Sequence, residues 1–221
     1  MMRHLLILLS IVVAASCGNQ TSNTSSTSSA PVKQTPTDTL DNLFKIASEA
    51  ELIDIFGKEN VIYDTVYGAE GEESMASILY PNSADQVEIA WSNDNKREGV
   101  GSVTHYAFYD SDNDRLITTS RWKTISGVKL GTTLTQLNET NGKPFIFTGF
   151  GWDYGGFIMD FQDGKLDKLP ISIHINISDF LNESDNDDYN ALMGDNEFKS
   201  DNPIAVRLNP VVTMIEIWKE E

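Results

Sequence analysis

The sequence contains almost no cysteine, since Cys17 is the only one among 221 residues. A single thiol excludes an internal disulfide framework, and a chain of this length can bury a core large enough to fold without one. Only three histidines are present, and none of them stands at a zinc-binding spacing with the cysteine. We therefore expect neither a disulfide scaffold nor a cysteine-histidine metal site.

Positive charge is also scarce. The chain has 16 lysines and arginines against 33 aspartates and glutamates, which gives a formal net charge of −17 at pH 7. Nucleic-acid-binding proteins need a basic face, and anionic lipid surfaces attract basic segments. The charge balance therefore argues against nucleic acid as a partner and against anionic lipid as a docking surface.

The motifs of several common catalytic sites are missing as well. The sequence has no G-x-S-x-G nucleophile elbow, no phosphate-binding P-loop and no H-E-x-x-H metalloprotease motif. His105 and His174 both lie in strand-like segments, and His174 falls on the polar side of its strand, where we expect it to be exposed to solvent. We therefore predict no catalytic residue, no cofactor and no enzymatic activity; a hydrolase that uses carboxylate pairs is the third alternative for function.

Long hydrophobic runs are absent except near the N-terminus, where an apolar segment extends from Leu5 to Val13. It is too short for a transmembrane helix, which needs about 20 apolar residues, but it follows the basic Arg3 as the core of a signal peptide does. Two alanines and a serine then precede Cys17. This arrangement resembles the bacterial lipobox, and the resemblance implies a signal peptide over residues 1–16 and acylation of Cys17. The alternative is an ordinary secretory signal with an incidental cysteine.

Acylation of Cys17 implies an address in the cell envelope. Two or three acyl chains on one residue meet the requirement for stable anchoring in a bilayer, at about 0.8 kcal/mol per buried methylene. Gly18 follows the cysteine, and by resemblance to the sorting rules of Gram-negative lipoproteins a residue other than aspartate there implies the outer membrane. We expect the periplasmic face, with the cell surface as the alternative.

Residues 17–39 are predicted to form a flexible tether. Eleven of the 22 residues from 18 to 39 are serine or threonine, a composition that cannot bury enough apolar surface to fold. A coil of this length spans about 25 Å on average. Thr39 follows an aspartate and precedes a leucine, which resembles the acceptor of bacterial O-glycosylation systems, so Thr39 is a candidate for modification. The globular domain is then expected over residues 40–221.

Strand-like alternation dominates this domain. From residue 171 to residue 177 isoleucine occupies every odd position, which is the pattern of a half-buried strand, and residues 87–91 alternate in the same way. The other strand-like runs are Val61–Tyr67, Met75–Tyr80, Val103–Tyr109, Leu116–Trp122, Phe145–Phe150, Gly156–Gln162 and Val211–Trp218. Sheets with one solvated face are normally antiparallel, so the expected sheet is antiparallel.

Two short helices are marked by capping boxes. Ser48 with Glu51 begins the first helix, and Thr133 with Gln136 begins the second. Glycines end both helices, and a third helix is expected over residues 187–193. The predicted fold class is therefore α+β, with a strand-rich antiparallel sheet and short capped helices.

The two capped helices also suggest a tandem helix-plus-sheet duplication, with repeats over residues 48–92 and 127–178. Both helices end in Gly-Lys, at Gly57 and at Gly142, and strand-like runs follow each of them. Few other identities link the two segments, so a chance likeness is the alternative.

The segment that begins at Gly127 resembles a known repeat. It reads Gly-Val-Lys-Leu-Gly-Thr-Thr, then a short helix, then Asn-Gly-Lys-Pro at residues 141–144 and a strand. This is similar to the repeat of SmpA/OmlA-type outer-membrane assembly lipoproteins and of β-lactamase inhibitory protein. In those families a helical element lies against a small antiparallel sheet, and the surface binds another protein. The resemblance implies a non-enzymatic role in binding another envelope protein, as a scaffold, assembly factor or inhibitor. Gln136 replaces the helix glutamate of the family, and no functional residue carries over.

Two acidic clusters are candidates for divalent cations. Asp110, Asp112 and Asp114 have the spacing with which an EF-hand calcium loop begins. Arg115 stands where that loop needs glycine, and Arg121 stands where it needs a bidentate glutamate, so a hairpin turn is the better interpretation. Residues 179–201 hold eight acidic residues against one lysine and are interpreted as a solvated, mobile loop.

The segment from residue 150 to residue 156, Phe-Gly-Trp-Asp-Tyr-Gly-Gly, is the most suggestive candidate for a binding surface. Trp152 and Tyr154 combine a large apolar area with a polar tip, and such side chains are common anchors of protein interfaces. We take Trp152, Asp153 and Tyr154 as candidate binding residues, for a protein or, as the alternative function, for a glycan or a cation. The other interpretation is a hairpin whose aromatic side chains pack onto the core.

Overall fold

A computed structural model describes residues 38–178 and 183–219. The predicted signal peptide, Cys17 and the tether up to residue 37 lie outside the described residues. Within the described part of the chain, no helix is long and apolar enough to cross a membrane.

Strands make up most of the regular structure. In chain order they are β1 (Val61–Tyr67), β2 (Glu73–Leu79), β3 (Val87–Asn93), β4 (Glu98–Tyr106), β5 (Phe108–Asp110), β6 (Arg115–Ile117), β7 (Ile146–Thr148), β8 (Ile158–Asp160), β9 (Ile171–Asn176), β10 (Glu197–Lys199) and β11 (Val211–Trp218). The α-helices are α1 (Glu49–Phe56), α2 (Leu134–Asn141), α3 (Glu183–Ala191) and α4 (Pro203–Leu208), and short 3-10 helices span Leu40–Lys45, Lys58–Asn60, Ala69–Gly71 and Leu166–Lys168. The predicted α+β class is confirmed.

The largest sheet has six strands in the order β1-β2-β3-β4-β11-β9, and every neighbouring pair is antiparallel. A three-stranded sheet, β10-β7-β8, and the hairpin β5-β6 complete the strand pairing of the described residues. The antiparallel arrangement and the predicted bounds of β1 and β11 are confirmed.

Several predicted strands are shorter than their apolar runs. The run from residue 103 to residue 109 divides into β4 and β5, and only the start of the run from residue 116 to residue 122 is a strand, in β6. Trp122 at the end of that run is instead drawn into the core, where it is 1% exposed and its indole Nε1 donates to the Asp85 carbonyl at 2.9 Å. Burial of the large ring therefore overrides local strand propensity.

The predicted capping box is complete at α2 and only half formed at α1. The Ser48 hydroxyl accepts from Glu51 N at 3.3 Å, although the Glu51 carboxylate accepts from Ala47 N at 2.9 Å and not from Ser48. At α2 the box is complete, since Thr133 Oγ1 accepts from Gln136 N at 3.2 Å and Gln136 Oε1 accepts from Thr133 N at 3.0 Å.

Of the acidic segment predicted as a mobile loop, residues 179–182 lie outside the described residues, and the rest is partly helical. Helix α3 covers Glu183–Ala191 and starts before the helix predicted over residues 187–193. The Asp188 carboxylate accepts from the Arg207 guanidinium on α4 at 2.7 Å, which fixes α3 against α4. The charge run does not prevent folding of this segment, because Leu192 is fully buried and Tyr189 stacks on Phe150.

The two proposed repeats share an order of elements but not a pattern of pairing. After α1 the strands β1, β2 and β3 pair in succession within the six-stranded sheet. After α2 the strands β7 and β8 belong to the small sheet, and β9 joins the edge of the large one.

The core lies on one side of the six-stranded sheet. Side chains that alternate along the strands, such as Ile89, Val103, Ile173 and Ile215, are fully buried because they face the helices; Leu52 of α1 and Leu134 of α2 belong to the same cluster. The chain enters this core at Leu40, which is also fully buried. Asp38 and Thr39, predicted as the end of the tether, are already attached to the domain: Thr39 forms a bridge with Lys123, and Asp38 pairs with Arg121 at 2.7 Å.

Candidate functional site

The second face of the six-stranded sheet forms a cleft of about 820 Å³. Because side chains alternate between the faces of a strand, burial of core residues such as Ile89, Val103 and Ile215 directs their neighbours in the same strands into this cleft. The side chains that cover its floor are mostly small or polar: Ala76, Glu88, Ala90, Ser102, Thr104, Tyr106, Ser172, His174, Met214 and Glu216.

Two loops form a wall of this cleft. The first contains the 3-10 turn Ala69–Gly71, and the second is the aromatic loop, which we define as residues 150–156. The loops touch where Glu70 N donates to Asp153 Oδ2 at 3.3 Å. Glu70 has a φ of 58°, in the left-handed region. The structure therefore places two segments about eighty residues apart in sequence at one edge of the sheet.

The candidate residues Trp152 and Tyr154 are exposed, at 41% and 39% of their surface. Their rings meet edge to face with centroids 5.4 Å apart, and Trp152 Nε1 donates to the Gly149 carbonyl at 2.9 Å. Asp153 and Tyr154 line the cleft. Of the loop's aromatic residues only Phe150 is in the core, fully buried and stacked on Tyr189. The interpretation that Trp152 and Tyr154 pack onto the core is therefore wrong, because Phe150 takes that place.

The glycines of the aromatic loop have a packing function. Gly156 has a φ of +77°, and a β-carbon there would lie 1.8 Å from the Ile175 carbonyl oxygen on β9. Gly151 also has a positive φ, of +83°. These positions need glycine for backbone geometry, so the glycine content of the loop is no argument for a ligand.

The cleft is strongly acidic. Its lining includes Glu70, Glu72, Glu88, Asp153 and Glu216, and no lysine or arginine of the described chain lines it. Because no lysine or arginine of the lining balances these carboxylates, they create a negative electrostatic potential that acts on any molecule in the cleft. The negative charges also raise the pKa of Tyr154, with Glu70 as the largest cause.

Two of these glutamates lie on the floor in a single row across the strands. Glu88 on β3 and Glu216 on β11 are both register partners of Thr104 on β4, one from each side. With neighbouring strands about 4.8 Å apart, their Cα atoms are separated by roughly 10 Å. Burial raises the pKa of both carboxyl groups. Hydrogen bonds act in the opposite direction on each, from Gln86 at 3.5 Å on Glu88 and from Ser102 on Glu216.

The next row holds Tyr106, Met214 and His174, which are register partners on β4, β11 and β9. Burial raises the pKa of Tyr106 to about 12, assisted by the charges of Glu88 and Glu216. Burial also lowers the pKa of His174 to about 4. Both side chains are therefore uncharged at neutral pH.

The expected solvent exposure of His174 is wrong. The strand alternates as predicted, but Phe157 forms a β-bridge with His174 and its ring packs edge-on against the imidazole, with centroids 5.1 Å apart. Phe157, which directly follows the aromatic loop, thus covers a residue that the strand pattern placed on the wet face. The strand pattern does not encode this contact with a preceding segment.

The two histidines of the described chain are not brought together. His105 lies on the core side of the sheet, fully buried, with its ring nitrogens 2.7 Å from the Gln86 carbonyl and from the Ser120 hydroxyl. His174 lies on the cleft side. Each ring nitrogen of His105 has a structural partner, so its imidazole holds β4 against the segment before β3 and the segment after β6.

The three aspartates weighed as calcium ligands form the turn of the hairpin β5-β6. The Asp110 carboxylate accepts from Asp112 N at 3.2 Å and from the Asn113 side chain at 2.8 Å, and Arg115 lies 3.5 Å from it. The Tyr109 hydroxyl donates to Asp114. The hairpin interpretation is confirmed. Across residues 38–178 and 183–219, no three His, Cys, Asp or Glu side chains converge as metal ligands.

Comparison of the chain with known protein families, with curated proteins and with solved structures found no match.

Three residues of the cleft floor, Glu88, Tyr106 and Glu216, were not predicted as members of a site. Their local signal was present, because each glutamate is the polar residue between two apolar ones in a strand, as in Val87-Glu88-Ile89. Such a pattern identifies a wet face but not its neighbours, since the pairing of β4 with β11 depends on a connection of more than one hundred residues.

Proposed function

We propose that this protein is a lipid-anchored envelope protein that binds another envelope protein in the cleft of its six-stranded sheet. The observation that carries the proposal is the cleft itself, a sheet face with an aromatic loop at its edge. Exposed aromatic side chains beside a broad surface are the usual anchors of protein interfaces.

The composition of the cleft supports binding more than catalysis. Its floor offers short side chains such as Ala90, Ser102 and Ser172, which leave the sheet accessible, and its rim offers Tyr154. His174 is neutral at physiological pH because burial lowers its pKa to about 4, and it lies against Phe157. A wide, open cleft also suits a polypeptide better than a small substrate, which is normally held in an enclosed pocket.

The anchoring part of the proposal rests on the sequence alone. A signal peptide over residues 1–16, acylation of Cys17 and a serine- and threonine-rich tether would hold the domain at the periplasmic face of the outer membrane. The resemblance to SmpA/OmlA-type lipoproteins and to β-lactamase inhibitory protein agrees with a non-enzymatic role as scaffold, assembly factor or inhibitor.

Site-specific crosslinking in intact cells tests the proposal. A photo-reactive phenylalanine analogue replaces Tyr106, which lies in the cleft, or Tyr109, which lies outside it on the hairpin β5-β6; the two tyrosines are 41% and 56% exposed. We expect a discrete crosslinked protein from position 106 and none of the same mass from position 109. Identical adducts from both positions, or none from position 106, would contradict the proposal.

The rim is tested in the same assay with Tyr154→Ala. Because Tyr154 is exposed, its removal should change the free energy of unfolding by less than about 1 kcal/mol while the affinity for the partner falls by about 2 kcal/mol or more. Tyr109→Ala is the matched control and should leave the adduct from position 106 unchanged. Equal adduct yields from the two variants would exclude the rim from the interface.

A further inference from the structure

We infer that the segment bound in the cleft is basic, and that one of its lysine or arginine side chains lies over Thr104 between Glu88 and Glu216. This inference rests on the proposed function and names the chemistry of the partner.

The charge of the lining is the first argument. Five carboxylates surround the cleft, and no lysine or arginine among residues 38–178 and 183–219 lines it. The only basic side chain in the lining is His174, which is uncharged at pH 7 because burial lowers its pKa to about 4. Nothing in the lining therefore balances the negative charge, and a polypeptide of like charge would be repelled.

The register of the floor is the second argument. Glu88 and Glu216 flank Thr104 from opposite sides, with about 10 Å between their Cα atoms. Both glutamates line the cleft together with Thr104, and the threonine side chain between them is short. The space above Thr104 is therefore matched to one ammonium or guanidinium group that donates hydrogen bonds to a carboxylate on each side.

Desolvation of these glutamates is the third argument. Burial disfavours the charged form of both carboxyl groups and therefore raises the pKa of Glu88 and of Glu216. A bound cation replaces part of the lost hydration and favours ionisation again. An occupant with positive charge thus stabilises the floor, whereas an apolar occupant would bury two carboxylates without a countercharge.

Aromatic side chains extend the same chemistry along the cleft. Tyr67, Tyr106 and Tyr154 all line it, and all are at least 39% exposed. A cation that passes over the face of a tyrosine ring gains about 0.5–1 kcal/mol at an exposed site. The acidic floor and the aromatic rim together favour a bound segment with several basic residues.

Fluorescence anisotropy with defined peptides tests the inference. The protein is the full acylated chain in a non-ionic detergent, and the probes are a labelled decapeptide of alternating lysine and serine and the same peptide with every lysine N-acetylated. We expect the lysine peptide to bind at least about tenfold more tightly than the neutral one at low salt. Equal affinities for the two peptides would overturn the inference.

Two charge-neutralised variants separate the floor from the overall charge of the protein. Glu88→Gln with Glu216→Gln should weaken binding of the lysine peptide by about tenfold or more. The control, Glu139→Gln with Asp167→Asn, removes the same charge from two exposed residues outside the cleft and should stay within about twofold of wild type. Equal weakening in both double variants would overturn the inference.

A third variant tests whether a loss of peptide binding comes from misfolding of the cleft floor. Thr104→Lys introduces an ammonium group of the chain's own between the glutamates, so it should keep the thermal midpoint of wild type and still lose the lysine peptide. Full binding by a folded Thr104→Lys protein would also overturn the inference.

The crosslink from position 106 separates this inference from the proposed function. If the partner still crosslinks when Glu88 and Glu216 are both glutamine, the cleft binds a protein but not through a cation, and only the inference fails. If no partner crosslinks from position 106 in wild type, the proposed function fails with it.

Discussion

His174 and His105 face opposite sides of the six-stranded sheet, and burial lowers the pKa of both imidazoles. For His174 the pKa falls from an ordinary 6.5 to about 4. Between these two values the unfolded chain binds a proton that the folded chain does not, so folding stability is lost as pH falls below 6.5. Glu88 and Glu216 have the opposite effect, because burial raises their pKa and the folded state holds protons more readily than the unfolded chain.

The His174 contribution can be measured by substitution. In His174→Gln, the decrease in the free energy of unfolding from pH 7.5 to pH 5 should be about 2 kcal/mol smaller than in wild type. The measurement is the free energy of unfolding in urea at the two pH values, with Glu88→Gln plus Glu216→Gln as the control that removes the opposing groups. An unchanged difference between the two pH values in His174→Gln would mean that His174 is not protected from protonation.

In the hairpin β5-β6, the structure of the whole element determines whether a short acidic motif binds a cation or forms a turn. Its turn has three acidic residues at the spacing of a calcium loop. The Asp110 carboxylate, however, accepts hydrogen bonds from Asp112 N and from the Asn113 side chain, and it pairs with Arg115. The hydrogen bonds lower the pKa of Asp110, with that from Asn113 as the largest cause. The aspartate therefore stabilises the turn in its ionised form.

Substitutions within this turn distinguish a hairpin from a cation site. Asp110→Ala should lower the free energy of unfolding, because it removes the hydrogen bonds that hold the turn, whereas Asp112→Ala should leave it nearly unchanged. Millimolar calcium should raise the thermal midpoint of none of these proteins beyond what an equal ionic strength of sodium chloride produces. A calcium-specific rise in wild type that Asp112→Ala abolishes would establish a cation site instead.

At the scale of the whole molecule the prediction concerns the membrane. If Cys17 carries the acyl chains, Cys17→Ser removes the anchor and the protein should leave the membrane fraction, because the charge of −17 gives it no affinity for anionic lipid. The measurement is partition of the protein between membrane and soluble fractions of the producing cells, and between detergent and aqueous phases. Equal partition of wild type and variant would contradict acylation at Cys17.

Local patterns were enough wherever the relevant interaction is local. The capping box of Thr133 and Gln136 closes within one turn of helix, and the strands Val61–Tyr67 and Val211–Trp218 have the predicted bounds. Patterns failed where another segment of the chain contacts the same side chain. Trp122 lies outside a strand because its indole is buried in the core and donates to the Asp85 carbonyl. His174 is covered by the ring of Phe157.

The sequence by itself determined the α+β class, the acidic charge and which positions of each strand are polar, since these properties depend on composition and on a period of two residues. Only the tertiary structure decided which polar positions meet. Glu88 and Glu216 are more than one hundred residues apart, and they flank Thr104 because β11 inserts between β4 and β9 in the order of the sheet. A shift of one residue in that register would turn either glutamate into the core, so the cleft and its charge exist only through long-range pairing that no local pattern encodes.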